Sequence, residues 1–209
     1  MDIRETASAA KTASIHMAAA GSDLKNRALA DIAEALKDNS AAIAAANQKD
    51  LDRACADNVA AGLLKRLKFD EPRIAGVCEG IESLIAIDDP VGRTLSATEL
   101  DDGLELYQVS CPIGVVGVIF ESRPDALVQI SSLCLKSGNA VLLKGGSEAV
   151  ETNRILADVI TKAGENAGLR RGWLGLMETR ADVAQMLALD EYIDLIVPRG
   201  GNEFVRYIM

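Results

Sequence analysis

Two short apolar runs with a helical stretch between them constrain the fold of this chain more than any other feature. Residues 115–120 read Val-Val-Gly-Val-Ile-Phe, and residues 140–143 read Ala-Val-Leu-Leu. Runs of this kind are typical of strands that are buried on both faces of a parallel sheet. Between them, residues 126–136 carry apolar side chains at helical spacing and end at Gly138-Asn139. This order predicts a right-handed βαβ unit.

The rest of the sequence extends this unit on both sides. Further strands are predicted over 172–177 and 192–197, and helices over 148–164, 181–189 and from residue 202 onwards. Before the unit we predict helices over 5–20, 22–36, 40–55 and 71–85, then a hairpin of strands 94–99 and 104–110. The prediction is therefore an α/β fold with a Rossmann-like parallel sheet and helices on both faces. A helical part (1–87) and a projecting hairpin (94–110) precede the βα units (112–209).

Composition narrows the function classes. The chain has 209 residues, of which 49% are hydrophobic and 25% charged, so it can bury a sizeable core. Its net charge of −9 argues against a nucleic-acid or anionic-membrane partner. The first residues lack the apolar core of a signal peptide, and no run reaches the ~18 apolar residues that span a bilayer. A cytoplasmic location is expected.

Metal and disulfide chemistry are not expected. The four cysteines, Cys55, Cys78, Cys111 and Cys134, have no CxxC spacing. The one histidine, His16, has no cysteine or carboxylate cluster near it in the sequence and makes neither a triad nor a metal site.

Polar residues follow both strands of the βαβ unit. Glu121-Ser122-Arg123 come after the first strand, and Lys144 to Glu148 come after the second. Ligands of such folds bind at the carboxyl ends of the strands. The glycines Gly145 and Gly146 allow close backbone approach, and the amides of the helix that follows can attract phosphate. We therefore expect the chemistry at these two segments.

Five sequence blocks carry a resemblance to a known family. They are Ala46-Asn-Gln-Lys-Asp-Leu51, Asp88-Asp-Pro-Val-Gly92, the segment 112–124, the segment 136–149 and Val197-Pro-Arg-Gly-Gly201. In these blocks the chain resembles the aldehyde dehydrogenase superfamily, and within it the gamma-glutamyl phosphate reductase (glutamate-5-semialdehyde dehydrogenase) family. The blocks occur in the right order along the whole chain.

The resemblance implies NADPH-dependent reduction of L-glutamyl 5-phosphate to L-glutamate 5-semialdehyde and phosphate in proline biosynthesis, through a cysteine thiolate and a thioester. The family's cysteine lies in a Cys-Asn-Ala type motif of a later half, which this sequence lacks. We therefore expect an N-terminal or shortened portion, a partial NADP-binding domain without the catalytic domain, that is inactive alone. Its fourth strand would then be an open edge, which predicts poor stability or aggregation.

The resemblance also implies partners. These are the small-molecule substrate, glutamate 5-kinase, and further copies of the chain joined through the hairpin. Two other functions stay open: a non-catalytic module that pairs through residues 94–110, and another acyl-reducing aldehyde dehydrogenase relative. The second is disfavoured by the five blocks.

For the cofactor, the resemblance places Lys144 at the adenosine ribose hydroxyls; the alternative is a solvated surface lysine. Gly145, Gly146 and the Ser147 hydroxyl would approach phosphates, with Ser147 donating to the 2′-phosphate. Glu148 would lie near the ribose, or else it is a first-turn carboxylate that favours the helix dipole. Because a carboxylate repels a 2′-phosphate, the preference for NADPH is implied by the resemblance and not by these residues.

Ser122 stands where the superfamily has an oxyanion-binding asparagine, and a turn residue is the alternative. Arg123 can bind a substrate phosphate or carboxylate, or pair with Glu121 or Asp125.

The remaining cofactor contacts are also implied by the resemblance. Thr179 and Arg180 would lie near the cofactor diphosphate, although the glycines usual there are missing. The last block would line the nicotinamide side or form a structural turn; its residues are Pro198, Arg199, Gly200 and Gly201.

Overall fold

The computed structural model describes residues 2–201, 205 and 206, with the backbone alone at residues 180 and 181. The first part is helical, as predicted, with α1 (Ile3–Ala18), α2 (Ser22–Asp38), α3 (Ser40–Ala56), α4 (Ala61–Leu67) and α5 (Glu71–Ala86). Helix α4 was not predicted, because its seven residues are too few to show a helical period. No helix in the described ranges is long and apolar enough to cross a membrane.

The predicted hairpin is present as β1 (Thr94–Asp101) and β2 (Leu104–Val109), which pair antiparallel. Gly103 adopts a φ of +74° in the turn, a conformation that glycine takes without strain. Every residue of both strands is exposed. The hairpin therefore projects from the rest of the chain with both faces uncovered.

Four strands form a parallel sheet in the order β5-β4-β3-β6. They are β3 (Val115–Phe120), β4 (Ala140–Lys144), β5 (Leu174–Met177) and β6 (Leu195–Arg199). The connecting helices are α6 (Pro124–Lys136), α7 (Val150–Ala167) and α8 (Arg180–Leu187). The chain moves outward from β3 to β5 and then returns to the other side of β3. This arrangement confirms the α/β fold and puts the point where the strand order reverses between β3 and β6.

Alternate residues of β3 face two different cores, as the two-residue period of a strand requires. Val116, Val118 and Phe120 pack with α2, α5, α6 and α7. Val115 packs on the other face with residues of α1 and α8. Gly117 also faces α8, because a Cβ there would lie 3.0 Å from the Met186 methyl group. Helices therefore cover both faces of the sheet.

Several predicted boundaries were wrong by a few residues. The helix predicted over 148–164 begins as a short 3-10 turn (Ser147–Ala149), continues as α7 and ends at Gly168, which has a φ of +110°. Helix α6 begins at Pro124, strand β5 begins at Leu174, and α8 ends at Leu187. The helix predicted from residue 202 lies outside the described residues, apart from the helical residues 205 and 206.

The last strand was predicted too early. It begins at Leu195 and extends through Pro198 and Arg199, two residues beyond the predicted end at residue 197. The preceding Asp194 accepts hydrogen bonds from the Val115 amide (2.8 Å) and the Lys11 ammonium (2.6 Å). Burial alone would raise the pKa of Asp194, but the Lys11 and Val115 bonds outweigh it and lower this pKa. Asp194 therefore joins α1 to the sheet instead of extending the strand.

A buried polar network holds α3 against α7. Asp50 is fully buried and accepts from the Thr152 amide (2.8 Å) and hydroxyl (2.7 Å) at the start of α7. Asn47 also donates to the Thr152 hydroxyl and accepts from the Phe69 amide. Because buried polar groups are costly when unpaired, this network fixes α3 at one position on the βα unit.

Candidate functional site

A cleft of about 1200 Å³ opens at the carboxyl ends of β3 and β6. Three segments of the βα units line it: residues 120–123 after β3, residues 147–148 before α7, and residues 198–201 at the end of β6. The opposite wall comes from α3, α4 and the turn between them. The cleft therefore lies at the reversal of strand order, where parallel α/β sheets bind their ligands.

The loop after β3 is tight and conformationally unusual. Ser122 is 6% exposed and has a φ of +20°, which is uncommon for a residue with a side chain. The Arg123 amide donates to the Glu121 carbonyl (2.5 Å), and the Glu121 carboxylate accepts from the Gly201 amide (3.0 Å). The loop is thus attached to the segment that follows β6.

Ser122 and Glu148 were predicted to act separately, and the structure brings them together. The Ser122 amide donates to Glu148 Oε1 (3.0 Å), and the Ser122 hydroxyl donates to the same oxygen. The Ser122 hydroxyl proton is already donated to Glu148. Ser122 can therefore donate to a substrate oxyanion only after this hydrogen bond breaks. The pair joins the loop after β3 to the loop before α7.

Arg123 pairs with Asp125, one of the two partners that the sequence left open. Its Nη2 lies 2.8 Å from the Asp125 carboxylate. The hydrogen bond and the charge of Asp125 raise the pKa of Arg123 above its ordinary value. The Arg123 side chain is half exposed and lines the cleft, so its remaining donors face the same space as Ser122.

Lys144 is buried, so the alternative of a solvated surface lysine is wrong. The residue is 7% exposed, and its Nζ donates to the Gly145 carbonyl (2.5 Å).

The two glycines after Lys144 have different neighbours. A Cβ on Gly145 would lie 2.2 Å from the Asn153 side-chain nitrogen, and one on Gly146 would lie 2.5 Å from the Glu148 carboxylate. A side chain at Gly145 would collide with the buried Asn153, and one at Gly146 would displace the Glu148 carboxylate. The Asn153 side-chain oxygen is buried and has no hydrogen-bond partner among the described residues.

Thr179 has a structural role that the sequence did not predict. Its hydroxyl accepts from the Asp182 amide (3.2 Å), and the Asp182 carboxylate accepts from the Thr179 amide (2.8 Å), which forms a capping box for α8. Burial alone would raise the pKa of Asp182, but the Thr179 bonds lower it. The side chain of Arg180 lies outside the described part of the chain, so its predicted contact with the diphosphate stays a prediction.

The segment from Pro198 to Gly201 lines the cleft, although its first two residues belong to β6 and not to a turn. Its four residues therefore lie in the same cleft as Glu121 and Ser122.

Sequence reasoning missed the contribution of the helical part. Arg53 on α3 and Arg66 on α4 line the cleft, together with Asp57, Val59 and Leu63. Arg53 donates to the buried Asp50 carboxylate (2.5 Å) and to the carbonyls of Ser147 and Glu148 (3.4 Å each). Asp50 belongs to the first of the five sequence blocks. A charged residue in that block without an assigned role was the sequence feature that could have indicated a contribution of α3 to the cleft.

None of the four cysteines lines the described part of the cleft. Cys55 and Cys111 are exposed, whereas Cys78 and Cys134 are buried. Burial raises the pKa of Cys134 to about 12, so this thiol stays protonated and unreactive near neutral pH. Among the described residues there is also no group of three or more metal-ligating His, Cys, Asp or Glu side chains.

Comparisons with known proteins agree with the motifs. A gamma-glutamyl phosphate reductase of Pelotomaculum thermopropionicum is 66% identical over 209 residues, which is 100% of this chain and 48% of the relative. One of Methanosarcina mazei is 50% identical over 212 residues, covering 99% of this chain and 47% of the relative. The chain therefore spans about half the length of the curated relatives it matches.

Solved structures agree as well. The crystal structure of gamma-glutamyl phosphate reductase from Thermotoga maritima superposes with a TM-score of 0.96 at 33% identity, over 100% of this chain and 51% of that one. The enzyme of that name from Saccharomyces cerevisiae gives 0.93 at 41% identity, over 100% and 53%. These relatives confirm the resemblance drawn from the five sequence blocks. The aldehyde dehydrogenase family model matches residues 1–209, and the chain belongs to the aldehyde dehydrogenase family.

Proposed function

We propose that this chain forms the cofactor-binding side of a gamma-glutamyl phosphate reductase site. The reaction is the NADPH-dependent reduction of L-glutamyl 5-phosphate to L-glutamate 5-semialdehyde and phosphate, with the nucleophilic cysteine outside these residues. The observation that carries the proposal is the convergence of residues 120–123, 147–148 and 198–201 on one cleft at the reversal of strand order. Sequence identity of 66% to a relative of that name supports the choice of reaction.

The residues after β4 fit a nicotinamide dinucleotide. The Asn153 side-chain oxygen is a buried acceptor without a protein donor among the described residues, and a ribose hydroxyl is a donor. The exposed Ser147 hydroxyl would donate to a phosphate, and Lys144 would donate to the ribose hydroxyls. Thr179, Arg180 and residues 198–201 complete the proposed contacts with the diphosphate and the nicotinamide. A bound NADPH would supply the hydride for the reduction.

A titration of NADPH into the chain, followed by the fluorescence of the nicotinamide, tests this function. We expect saturable binding for the wild type. The variant Gly146→Ala should bind about tenfold more weakly, because the added Cβ would lie 2.5 Å from the Glu148 carboxylate and would push it away from Ser122 and from its place near the ribose.

Gly80→Ala on α5 is the matched control, since a Cβ there meets no atom within 4 Å. It should bind NADPH as the wild type does. A wild-type titration without saturation would remove the cofactor-binding function.

A second candidate function, an interaction module, is favoured by the hairpin. Six of its apolar side chains are exposed: Leu95, Leu100, Leu104, Leu106, Tyr107 and Val109. Apolar side chains on both faces of an uncovered two-stranded ribbon favour pairing with another protein surface. The proposed partner is another protein of the same family, such as a second copy of this chain.

Deletion of residues 94–110 should abolish self-association, because it removes all six apolar side chains. Sedimentation velocity of the deletion variant and the wild type measures this effect. Asp102→Asn at the tip of the turn is the control and should sediment as the wild type does. An unchanged profile after the deletion would eliminate the hairpin as the contact.

The division into a helical part (1–87), a hairpin (94–110) and βα units (112–209) belongs to the same proposal. The partnership with glutamate 5-kinase and the cytoplasmic location stay predictions.

A further inference from the structure

The wall of the cleft that comes from the helical part is cationic. Arg53 on α3 and Arg66 on α4 lie on this wall, and two more arginines of the βα units, Arg123 and Arg199, also line the cleft. The chain as a whole carries a net charge of −9, so four arginines in one cleft are a local exception. The lining also holds Asp57, Glu121 and Glu148, so the cleft has a small excess of positive charge, which attracts anionic ligands.

The acidic residues of the cleft offset part of this charge and are held on the side of the βα units. Glu148 accepts two hydrogen bonds from Ser122, and Glu121 accepts one from the Gly201 amide. Both carboxylates therefore keep their charge but are fixed to the loops of the βα units. Asp57 is the acidic residue that the helical part itself contributes to the lining.

Arg53 is held in place with donors to spare. All three of its hydrogen bonds among the described residues start from one nitrogen, Nη2, and end on Asp50 and on the carbonyls of Ser147 and Glu148. A guanidinium has five N–H donors, so Nε and Nη1 retain theirs. The buried Asp50 is the ion-pair partner of Arg53: it offsets part of the arginine's charge and fixes the orientation of the guanidinium, so that the remaining N–H donors are pre-organised.

Arg66 has no ion pair and no side-chain hydrogen bond within residues 2–201 and 205–206. It lines the cleft from α4, next along the chain after Asp57, Val59 and Leu63. The Arg66 guanidinium can therefore bind an anionic group of a ligand in the cleft.

We propose that Arg53 and Arg66, with the Ser147 hydroxyl, form a binding site for a terminal phosphate dianion. This inference rests on the proposed function, in which two ligands carry such a group: NADPH as its 2′-phosphate monoester, and the substrate as an acyl phosphate. Arginine binds phosphate oxygens through two parallel N–H bonds, and the hydroxyl adds a third donor. The helical part thus contributes a ligand-binding site as well as packing for the sheet.

The first experiment titrates inorganic phosphate into the chain by calorimetry at low salt. We expect saturable binding for the wild type and about tenfold weaker binding for Arg66→Gln, as the loss of one charge-assisted bond implies. Arg53→Gln should weaken binding at least as much. Arg66→Lys should restore part of the affinity, since it keeps the charge and loses the bidentate geometry.

Arg170→Gln is the matched control, because Arg170 is exposed and lines a separate shallow surface near His16. It should bind phosphate as the wild type does. Circular dichroism of each variant verifies the fold. If Arg53→Gln unfolds because it loses its contact with Asp50, the result for Arg66→Gln alone decides the test.

A second pair of titrations, with NADPH and NADH, distinguishes the source of the phosphate. If Arg66→Gln weakens NADPH about tenfold and NADH less than about twofold, the site holds the 2′-phosphate. If phosphate binding falls while both dinucleotides bind normally, the site holds the phosphate of the substrate.

The proposal is overturned if the wild type shows no saturable phosphate binding, or if Arg66→Gln and Arg53→Gln bind phosphate as the wild type does. Phosphate binding that depends on Arg66 in a chain that binds neither dinucleotide would overturn the proposed function and leave the anion site standing.

Discussion

Ser122 and Glu148 come from different loops of the βα units, and one carboxylate oxygen accepts both the amide and the hydroxyl of the serine. A φ of +20° is unfavourable for serine, and such conformations persist only where neighbouring contacts determine them. Glu148 supplies those contacts. Its position therefore sets the shape of the loop from which Glu121 and Arg123 extend.

We predict that Glu148→Ala lowers the free energy of unfolding by about 1–3 kcal/mol, because the Ser122 amide and hydroxyl lose their acceptor in a part-buried place. Glu148→Gln retains an acceptor oxygen and should cost less. Urea unfolding measures both. The exposed Glu79→Ala on α5 should change stability by no more than about 0.5 kcal/mol. Equal stability of Glu148→Ala and the wild type would show that other contacts hold Ser122.

The sequence identified Ser122 and Glu148 as residues at strand ends, but it could not show that they bond to each other. Their contact depends on the register of β3 against β4, in which Ile119 pairs with Lys144. A shift of one residue would move every side chain to the other face. Arg53 was missed for a similar reason: its contact with Ser147 joins residues 94 positions apart. Local patterns locate a site and do not give its cross-loop contacts.

At the scale of elements, the buried runs of β3 and β4 were predicted well because apolar strands between glycine and proline signals have few alternatives. Strand β6 was placed too early because Tyr192 and Ile193 are as apolar as the strand that follows. Asp194, with its bonds to Val115 and Lys11, decides where the strand begins. These bonds join residues far apart in the sequence, so the local pattern of apolar residues could not predict them.

The start of α7 is capped by a side chain from another helix. Asp50 on α3 accepts from the amides of Glu151 (3.2 Å) and Thr152 (2.8 Å) and from the Thr152 hydroxyl (2.7 Å). The first amides of a helix lack partners within the helix, and a carboxylate there also suits the helix dipole. Asp50 therefore joins two elements through one buried charge.

We predict that Asp50→Ala lowers the free energy of unfolding by roughly 2–4 kcal/mol, because it removes a cap and takes away the acceptor of the Thr152 amide and of the Thr152 hydroxyl proton. Hydrogen exchange should accelerate at the Thr152 amide. Asp52→Ala on the same helix is the control, since Asp52 is exposed and contacts only Gln48 among the described residues. The prediction fails if the two variants are equally stable.

At the scale of the whole molecule, one continuous core joins the helical part to the sheet. Leu36 on α2, Val116 on β3 and Trp173 before β5 all belong to it. The helices of the first part therefore bury their apolar faces against the βα units and not against one another alone. Among the described strands, the hairpin is exposed throughout, and each residue of the edge strand β6 is exposed or partly buried. We expect aggregation to begin at these two segments.

We predict that the chain unfolds as one cooperative unit in urea. Trp173 is the one tryptophan of the sequence and is fully buried, so its fluorescence reports on the sheet side of the core, while circular dichroism reports on all helices. Leu36→Ala should cost about 2–5 kcal/mol through the cavity it leaves, and should shift both signals by the same amount. The exposed Leu95→Ala on the hairpin is the control and should shift neither.

A different result would separate the two parts. If Leu36→Ala lowers the midpoint of the dichroism signal and leaves the Trp173 fluorescence at its wild-type midpoint, the helical part unfolds independently of the sheet. In that case Arg53 and Arg66 could detach from the cleft while the βα units stay folded. Coincident transitions would instead mean that the cationic wall and the loops of the βα units exist only together, because the same core holds both.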